Sequence, residues 1–201
     1  DASASAAAAA SATEILVNPG HAEALLKGLE RARCDDDLDN LPLRIKLQVQ
    51  ASSIVIKVSV EMAVALSRPL AKMLVGPMAS LGKDNVLSLG LECGCNPVAL
   101  LSVANYMYTG RLELTEHSTF DVLSATNFLE LDGAKELCAA FLCEKLSPVN
   151  ALGMANAAVR FGCAELLEAA RGYANSHFVK VAEQEEFLAL PQPEPVCPPP
   201  V

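Results

Sequence analysis

Three histidines and seven cysteines are the residues of this chain whose chemistry could reach beyond packing. A nucleophilic triad needs a His within hydrogen-bond reach of a Ser or Cys and of an orienting carboxylate. None of the three has such a setting. His21 opens an amphipathic run, His117 falls in the first turn of another, and His177 lies near the end of a third. Surface or capping roles are expected for all three. The glycines stand one at a time between helical patterns, which is not a phosphate-cradling loop. The cysteines of ECGCN, Cys93 and Cys95, form a CxC without a second pair or a nearby His, so a turn is expected there and not a metal site. The acids of CDDDLDN read as a solvated linker, and Gln184, Glu185 and Glu186 as a helix start whose charges complement the helix dipole. The expectation is a chain without catalytic residues, cofactor or metal.

Composition narrows the partners. The formal net charge is −9 and no stripe of Lys and Arg stands out, so direct nucleic-acid binding is not expected. Apolar residues make up 52% and charged ones 19%, enough for a core although part of that share is the alanine-rich start. No run reaches the roughly 18 consecutive apolar residues of a membrane helix. The opening DASASAAAAASATEILVNPG lacks a basic n-region and does not read as a secretory signal. Residues 1–18 read as a disordered, low-complexity arm. Cys34, Cys138, Cys143 and Cys163 lie in or beside helical patterns, which suits reduced, partly buried thiols in a cytosolic protein.

The elements follow from periodicity. HAEALLKGLERAR puts Ala24, Leu25, Leu29 and Ala32 on one helical face. LPLRIKLQVQ alternates Leu43, Ile45, Leu47 and Val49 with Arg44, Lys46, Gln48 and Gln50, and IVIKVSV alternates again, which predicts a β-hairpin turning at residues 51–53. A helix is predicted from about Glu61 to Val75, closed by Gly76-Pro77, and NVLSLG is a short strand. Asn96-Pro97 is a cap followed by Pro at the first helical position, and Val98, Leu101, Ala104, Asn105 and Tyr108 trace one face until Gly110. Helices are then predicted over residues 118–131 and 133–146, from Ser147-Pro148 to Phe161, over residues 163–178, and in EQEEFLALP. Strands come early and few, so the class is α+β grading into all-α. The segment QPEPVCPPPV is Pro-rich and extended.

Between two of these helices stands YMYTGRLELTEH, a helix stop on Gly110, a short strand, and a new start. The longer run that contains it, ALLSVANYMYTGRLELTEHSTFDVLSATNFLELDGAKELCAAFLCEKLSPVNALGMA, resembles the BTB (POZ) domain and the start of the BACK domain of Kelch-like proteins. The resemblance covers roughly residues 20–191. It implies a BTB/POZ fold, a small sheet flanked by helices, over residues 19–146. A partial all-α BACK domain over residues 147–191 and a Pro-rich tail over residues 192–201 follow. HAEALLKGLERAR looks like the N-terminal dimerisation helix of the family, and Arg111 to Leu114 like an edge strand that pairs with a partner subunit. Leu25, Leu26, Leu29, Leu112 and Leu114 are thereby implied as a homodimer interface.

The function implied is that of a substrate adaptor of a cullin-3 ubiquitin ligase, in the cytoplasm and also the nucleus. Its cullin contacts would draw on Met78, Ser80, Leu146, Val149, Leu152 and Met154. This chain departs from the family at several positions. An Asp usual at the first strand is replaced by Arg44, a His-Arg pair by Ser59 and Val60, and Ser-Pro-Tyr-Phe by Ser67, Arg68, Pro69 and Leu70. The hydrophobic-any-Glu docking motif falls on Met78, Ala79 and Ser80, without its acid, which implies weakened cullin docking. No Kelch propeller follows, so a truncated or divergent form is expected, and no substrate is named. The alternative is a BTB-type transcriptional regulator whose dimer groove recruits corepressors; the BACK-like segment argues against it.

Overall fold

A computed structural model of the chain describes residues 13–33, 42, 44–49, 54–75, 81–89, 96–184 and 187. Two compact units divide it, residues 1–141 and residues 142–201. The class is α+β, with helices dominating after the early strands.

The first unit opens with β1 (Glu14–Val17), α1 (His21–Arg33) and the hairpin β2 (Arg44–Val49) and β3 (Val55–Ser59). The strict alternation of the hairpin survives as burial: Ile45, Leu47, Ile56 and Val58 are core residues, while Arg44 and Lys57 are exposed. β4 (Val86–Leu89) joins β2 in parallel, so the sheet order is β3-β2-β4. Leu87 and Leu89 extend the same buried face. Two residues with positive φ, Asp84 and Asn85, make the tight turn that feeds β4.

The single helix expected over residues 61–75 is two, α2 (Val60–Leu66) and α3 (Arg68–Val75). The break lies at Ser67, whose backbone is extended (φ −118°, ψ 111°) and whose Oγ donates to the Leu129 carbonyl at 2.8 Å. Pro69, two residues on, has no N–H to continue the ladder. Ser67 is wholly buried, so the kink is part of the core. Residues 51–53 and 76–80, where the hairpin turn and the Gly-Pro stop were expected, lie outside the described residues.

α4 (Pro97–Thr109) begins as expected, with Asn96 Oδ1 accepting from the Val98 N–H at 3.0 Å and Pro97 in the first turn. It ends on Gly110 in the left-handed region (φ 66°), and β5 (Arg111–Leu114) follows at once. Of the traced face, Val98, Leu101, Asn105 and Tyr108 are exposed and Ala104 alone is buried. The core side of α4 is Ala99, Leu100, Val103, Ala104, Tyr106 and Met107. α5 (Thr119–Phe128) starts four residues after Thr115, whose Oγ1 accepts from the Ser118 N–H at 3.2 Å and lies 2.8 Å from Ser118 Oγ. α6 is Asp132–Glu144. Cys138 and Phe141 lie on its inner face, almost without exposure, where the thiol packs as a small hydrophobe.

In the second unit, α7 (Ala151–Phe161) starts three residues later than Ser147-Pro148 suggests. Asn150 closes that turn first: its Oδ1 accepts from the Ser147 N–H at 2.8 Å and its Nδ2 donates to the Lys145 carbonyl at 2.9 Å. Gly162, in the left-handed region, stops α7. α8 (Ala164–Ser176) packs on it through Leu166 and Ala170, and α9 (Phe178–Ala182) follows. Cys163 is buried and Cys143 half-buried, and burial pushes the Cys143 thiol up from its ordinary value.

Candidate interaction surface

Residues 14–17 were expected in a disordered arm and instead form β1. β1 pairs antiparallel with β5, Leu16 opposite Leu112 and Val17 opposite Arg111. EILV is itself a short alternating run, but beside eleven residues of low-complexity Ala and Ser its pattern is easily absorbed into the arm. Its partner is distant in sequence, so no local signal points to the pairing.

A compact polar clamp holds β1 and α1 in place. The Asn18 N–H donates to the Gly110 carbonyl at 2.9 Å, and its Nδ2 donates to Tyr106 Oη at 2.7 Å. Its Oδ1 accepts from the Gly20 N–H at 2.9 Å, which shapes the turn into α1. His21 was expected at the surface; it is buried, with Nε2 donating to the Met107 carbonyl at 3.0 Å and its ring edge-on to Tyr106, centroids 4.9 Å apart. Burial wins here because the end of α4 offers a carbonyl and an aromatic face together. His117 and His177 are exposed. Gly133 completes the clamp, since a Cβ there would collide with Asn18 Nδ2 and stand 2.9 Å from Tyr106 Oη.

Burial also raises the pKa of Tyr106 above its ordinary value of 10.0, against the hydrogen bond from Asn18, which lowers it. A phenol with a raised folded pKa contributes stability that is complete below pH 10.0 and is lost as pH rises through the folded value. Urea midpoints measured from pH 8 to 11 are therefore expected to fall at the alkaline end. Tyr106→Phe is expected to flatten that fall and to cost about 0.5–1.5 kcal/mol at neutral pH for the lost hydrogen bond. An unchanged alkaline profile would contradict this role.

α1 lies on α2 with Gly28 at the crossing, where a Cβ would stand 2.8 Å from the Ala65 carbonyl carbon. That seating turns Leu25 and Leu29 half inward and leaves Leu26 62% exposed. On the β1–β5 ribbon, Leu16 turns toward the core while Ile15 (61% exposed) and Val17 (56%) face solvent. A polar pair, Lys27 Nζ to Glu23 Oε1 at 2.7 Å, bridges one turn of α1 beside Leu26, with both side chains exposed. The hydrogen bond and charge of Lys27 hold the Glu23 carboxyl below its usual value. Three large apolar side chains thus stand open on two consecutive elements.

The implied site residues separate on this geometry. Leu26 is fully presented, and Leu25 and Leu29 in part. Leu112 and Leu114 have no exposed surface; they fill their own core while β5 pairs with β1 of the same chain, so within this chain their side chains do not face a partner. Ile15 and Val17 are the exposed residues that reading the sequence missed. Of the implied cullin contacts, Met78 and Ser80 lie outside the described residues, as do Cys93 and Cys95. Val149 is exposed, Leu146 and Leu152 are half-buried, and Met154 is buried within the second unit, because it falls on the face of α7 that carries Ala151 and Ala158. Among the described residues no three His, Cys, Asp or Glu side chains come together as a metal site would require. None of the described helices is long and apolar enough to cross a membrane.

Residues 67–146 match the BTB/POZ domain family, and residues 151–194 match BACK, the BTB and C-terminal Kelch family. Human Kelch-like protein 4 is 32% identical over 175 residues, spanning 87% of this chain and 23% of that protein. This chain belongs to the BTB–BACK, Kelch-like family. Human Kelch-like protein 5 is 40% identical over 101 residues, 50% of this chain and 13% of that protein. Mouse Kelch-like protein 17 is 38% identical over 96 residues, 48% of this chain and 15% of that protein. The chain therefore spans less than a quarter of the length of these relatives. Among solved structures, the BTB domain of human gigaxonin is 22% identical with a TM-score of 0.42, covering 63% of this chain and 94% of that one. The BTB match precedes the BACK match along the chain.

Proposed function

We propose that this BTB–BACK chain is a non-catalytic adaptor module that forms a homodimer and docks on cullin-3 in a ubiquitin ligase, in the cytoplasm and nucleus. In this reading residues 19–146 act as the BTB domain and residues 147–191 as a partial BACK domain. The observation that carries self-association is the open apolar set Ile15, Val17 and Leu26 on β1 and α1. Water contacts these side chains in one chain, and a two-fold partner presenting the same set would bury them. Leu25 and Leu29 flank Leu26 on the same helix and deepen the contact.

Cullin docking rests on kinship with Kelch-like adaptors, whose activity belongs to proteins much longer than this chain. Val149, with Leu146 and Leu152 beside it, supplies apolar surface on the second unit. Ser80 stands where the docking motif has its Glu, and a Ser cannot form the charge-assisted bond of a carboxylate. Losing one such bond costs on the order of 1.5–3 kcal/mol, or roughly 10- to 150-fold in affinity. Calorimetry with purified cullin-3 N-terminal domain is expected to show weak binding that Ser80→Glu strengthens by that factor. Nanomolar binding by the unmodified chain, or no gain from the Glu, would refute the role given to Ser80.

A further inference from the structure

The core-averted face of the three-stranded sheet carries a charge pattern that neither dimerisation nor cullin docking uses. Strand register sets its rows: Lys57, Lys46 and Val86 lie side by side across β3, β2 and β4, with Val55, Gln48 and Ser88 in the next row. Arg44 stands beside Ser59 in the row on the other side. The cations are thus two residues apart along β2, about 7 Å, and directly opposed across the hairpin, with Cβ atoms about 5 Å apart.

Two lysines facing each other across a strand pair repel, and a fold under no other demand has no reason to keep them. Among the described residues no carboxylate lies within 4.0 Å of Arg44, Lys46 or Lys57. Asp84, in the turn leading to β4, does not reach them. This concentration of positive charge occurs in a chain whose net charge is −9. On the same face, one row away, Val55 remains 45% exposed.

We propose that this sheet face is a docking site for a short acidic segment of a partner protein, one that carries an apolar side chain among its carboxylates. The carboxylates would pair with Lys46, Lys57 and Arg44, and the apolar side chain would lie on Val55, one row away on the same face. Length decides between acidic partners. Local attraction acts within the Debye length, about 8 Å at physiological salt, whereas an extended polyanion such as RNA meets the repulsion of the whole anionic surface. A short peptide senses the patch alone.

The test is fluorescence anisotropy with a labelled acidic peptide, glutamates interrupted by one leucine, titrated with the full chain at rising salt. Saturable binding that weakens with salt is expected, and K46E/K57E is expected to weaken it roughly tenfold or more, at the sum of two surface charge contacts reversed. The single change Lys57→Glu should lower peptide affinity while raising the urea midpoint, since it replaces a repelling pair by an attracting one; a merely structural role would not split the two readouts. Should K46E/K57E fail to fold, K46Q/K57Q removes both charges without reversing them and must still reduce affinity. Absence of saturable binding at low salt would overturn the proposal, as would binding indifferent to these changes or tighter binding of RNA. Binding that emerges only after Asp35, Asp36, Asp37 and Asp39 are changed to Asn would also overturn it, by assigning the face to the chain's own acidic run.

Discussion

Gly110→Val is expected to cost the first unit about 3–5 kcal/mol, a large share of the stability of a domain this size. Two effects add. The position has φ 66°, where a β-branched side chain is strained. A Cβ there would also stand 2.9 Å from the His21 ring, which is pinned by its bond to the Met107 carbonyl and cannot retreat. Ejecting the ring would open the Asn18–Tyr106 clamp and free β1 and α1 together. Urea unfolding followed by circular dichroism would show the loss as a lower midpoint at unchanged slope. A midpoint within a few tenths of a molar of the unmodified chain would mean that the clamp is not part of the folded unit's stability.

Leu26→Asp is expected to leave the proposed homodimer monomeric and each chain folded. Leu26 is exposed in the single chain, so the substitution buries no charge in the core and creates no cavity. In a two-fold contact the change occurs twice, and an apolar anchor truncated into a charge costs on the order of 2 kcal/mol per copy or more. Two copies amount to roughly a thousandfold in the dimer dissociation constant. Light scattering across a dilution series checks it. A variant that stays dimeric at the same concentrations as the parent would remove α1 from the interface.

The contrast between Leu26 and its neighbours shows how far the sequence could be read. Alternation alone assigned Ile45, Leu47, Ile56 and Val58 to one face, because a strand has only two faces and the core takes one. Asn96-Pro97 and Gly110 marked both ends of α4, because caps are local chemistry. What stayed hidden depends on contacts distant in sequence. His21 is buried by the end of α4, more than eighty residues on. β1 exists because β5 completes it. The apolar face Val98, Leu101 and Tyr108 is regular enough to suggest a core stripe, yet α4 is apolar nearly all round and its other side is the buried one. Leu112 and Leu114 alternate as an edge strand should, and periodicity cannot say whether their inner face meets the same chain or another. Ser67 carries a break that the helical pattern of residues 61–75 does not announce, since its partner is the Leu129 carbonyl.

Native mass spectrometry of the chain mixed with purified cullin-3 N-terminal domain tests the adaptor reading most directly, because one spectrum reports both stoichiometries. The account predicts a species holding two copies of this 21.1 kDa chain and up to two of the cullin domain, together with free dimer of the chain. A spectrum in which the chain is monomeric at micromolar concentration and carries no cullin domain, even with Ser80→Glu, would contradict it.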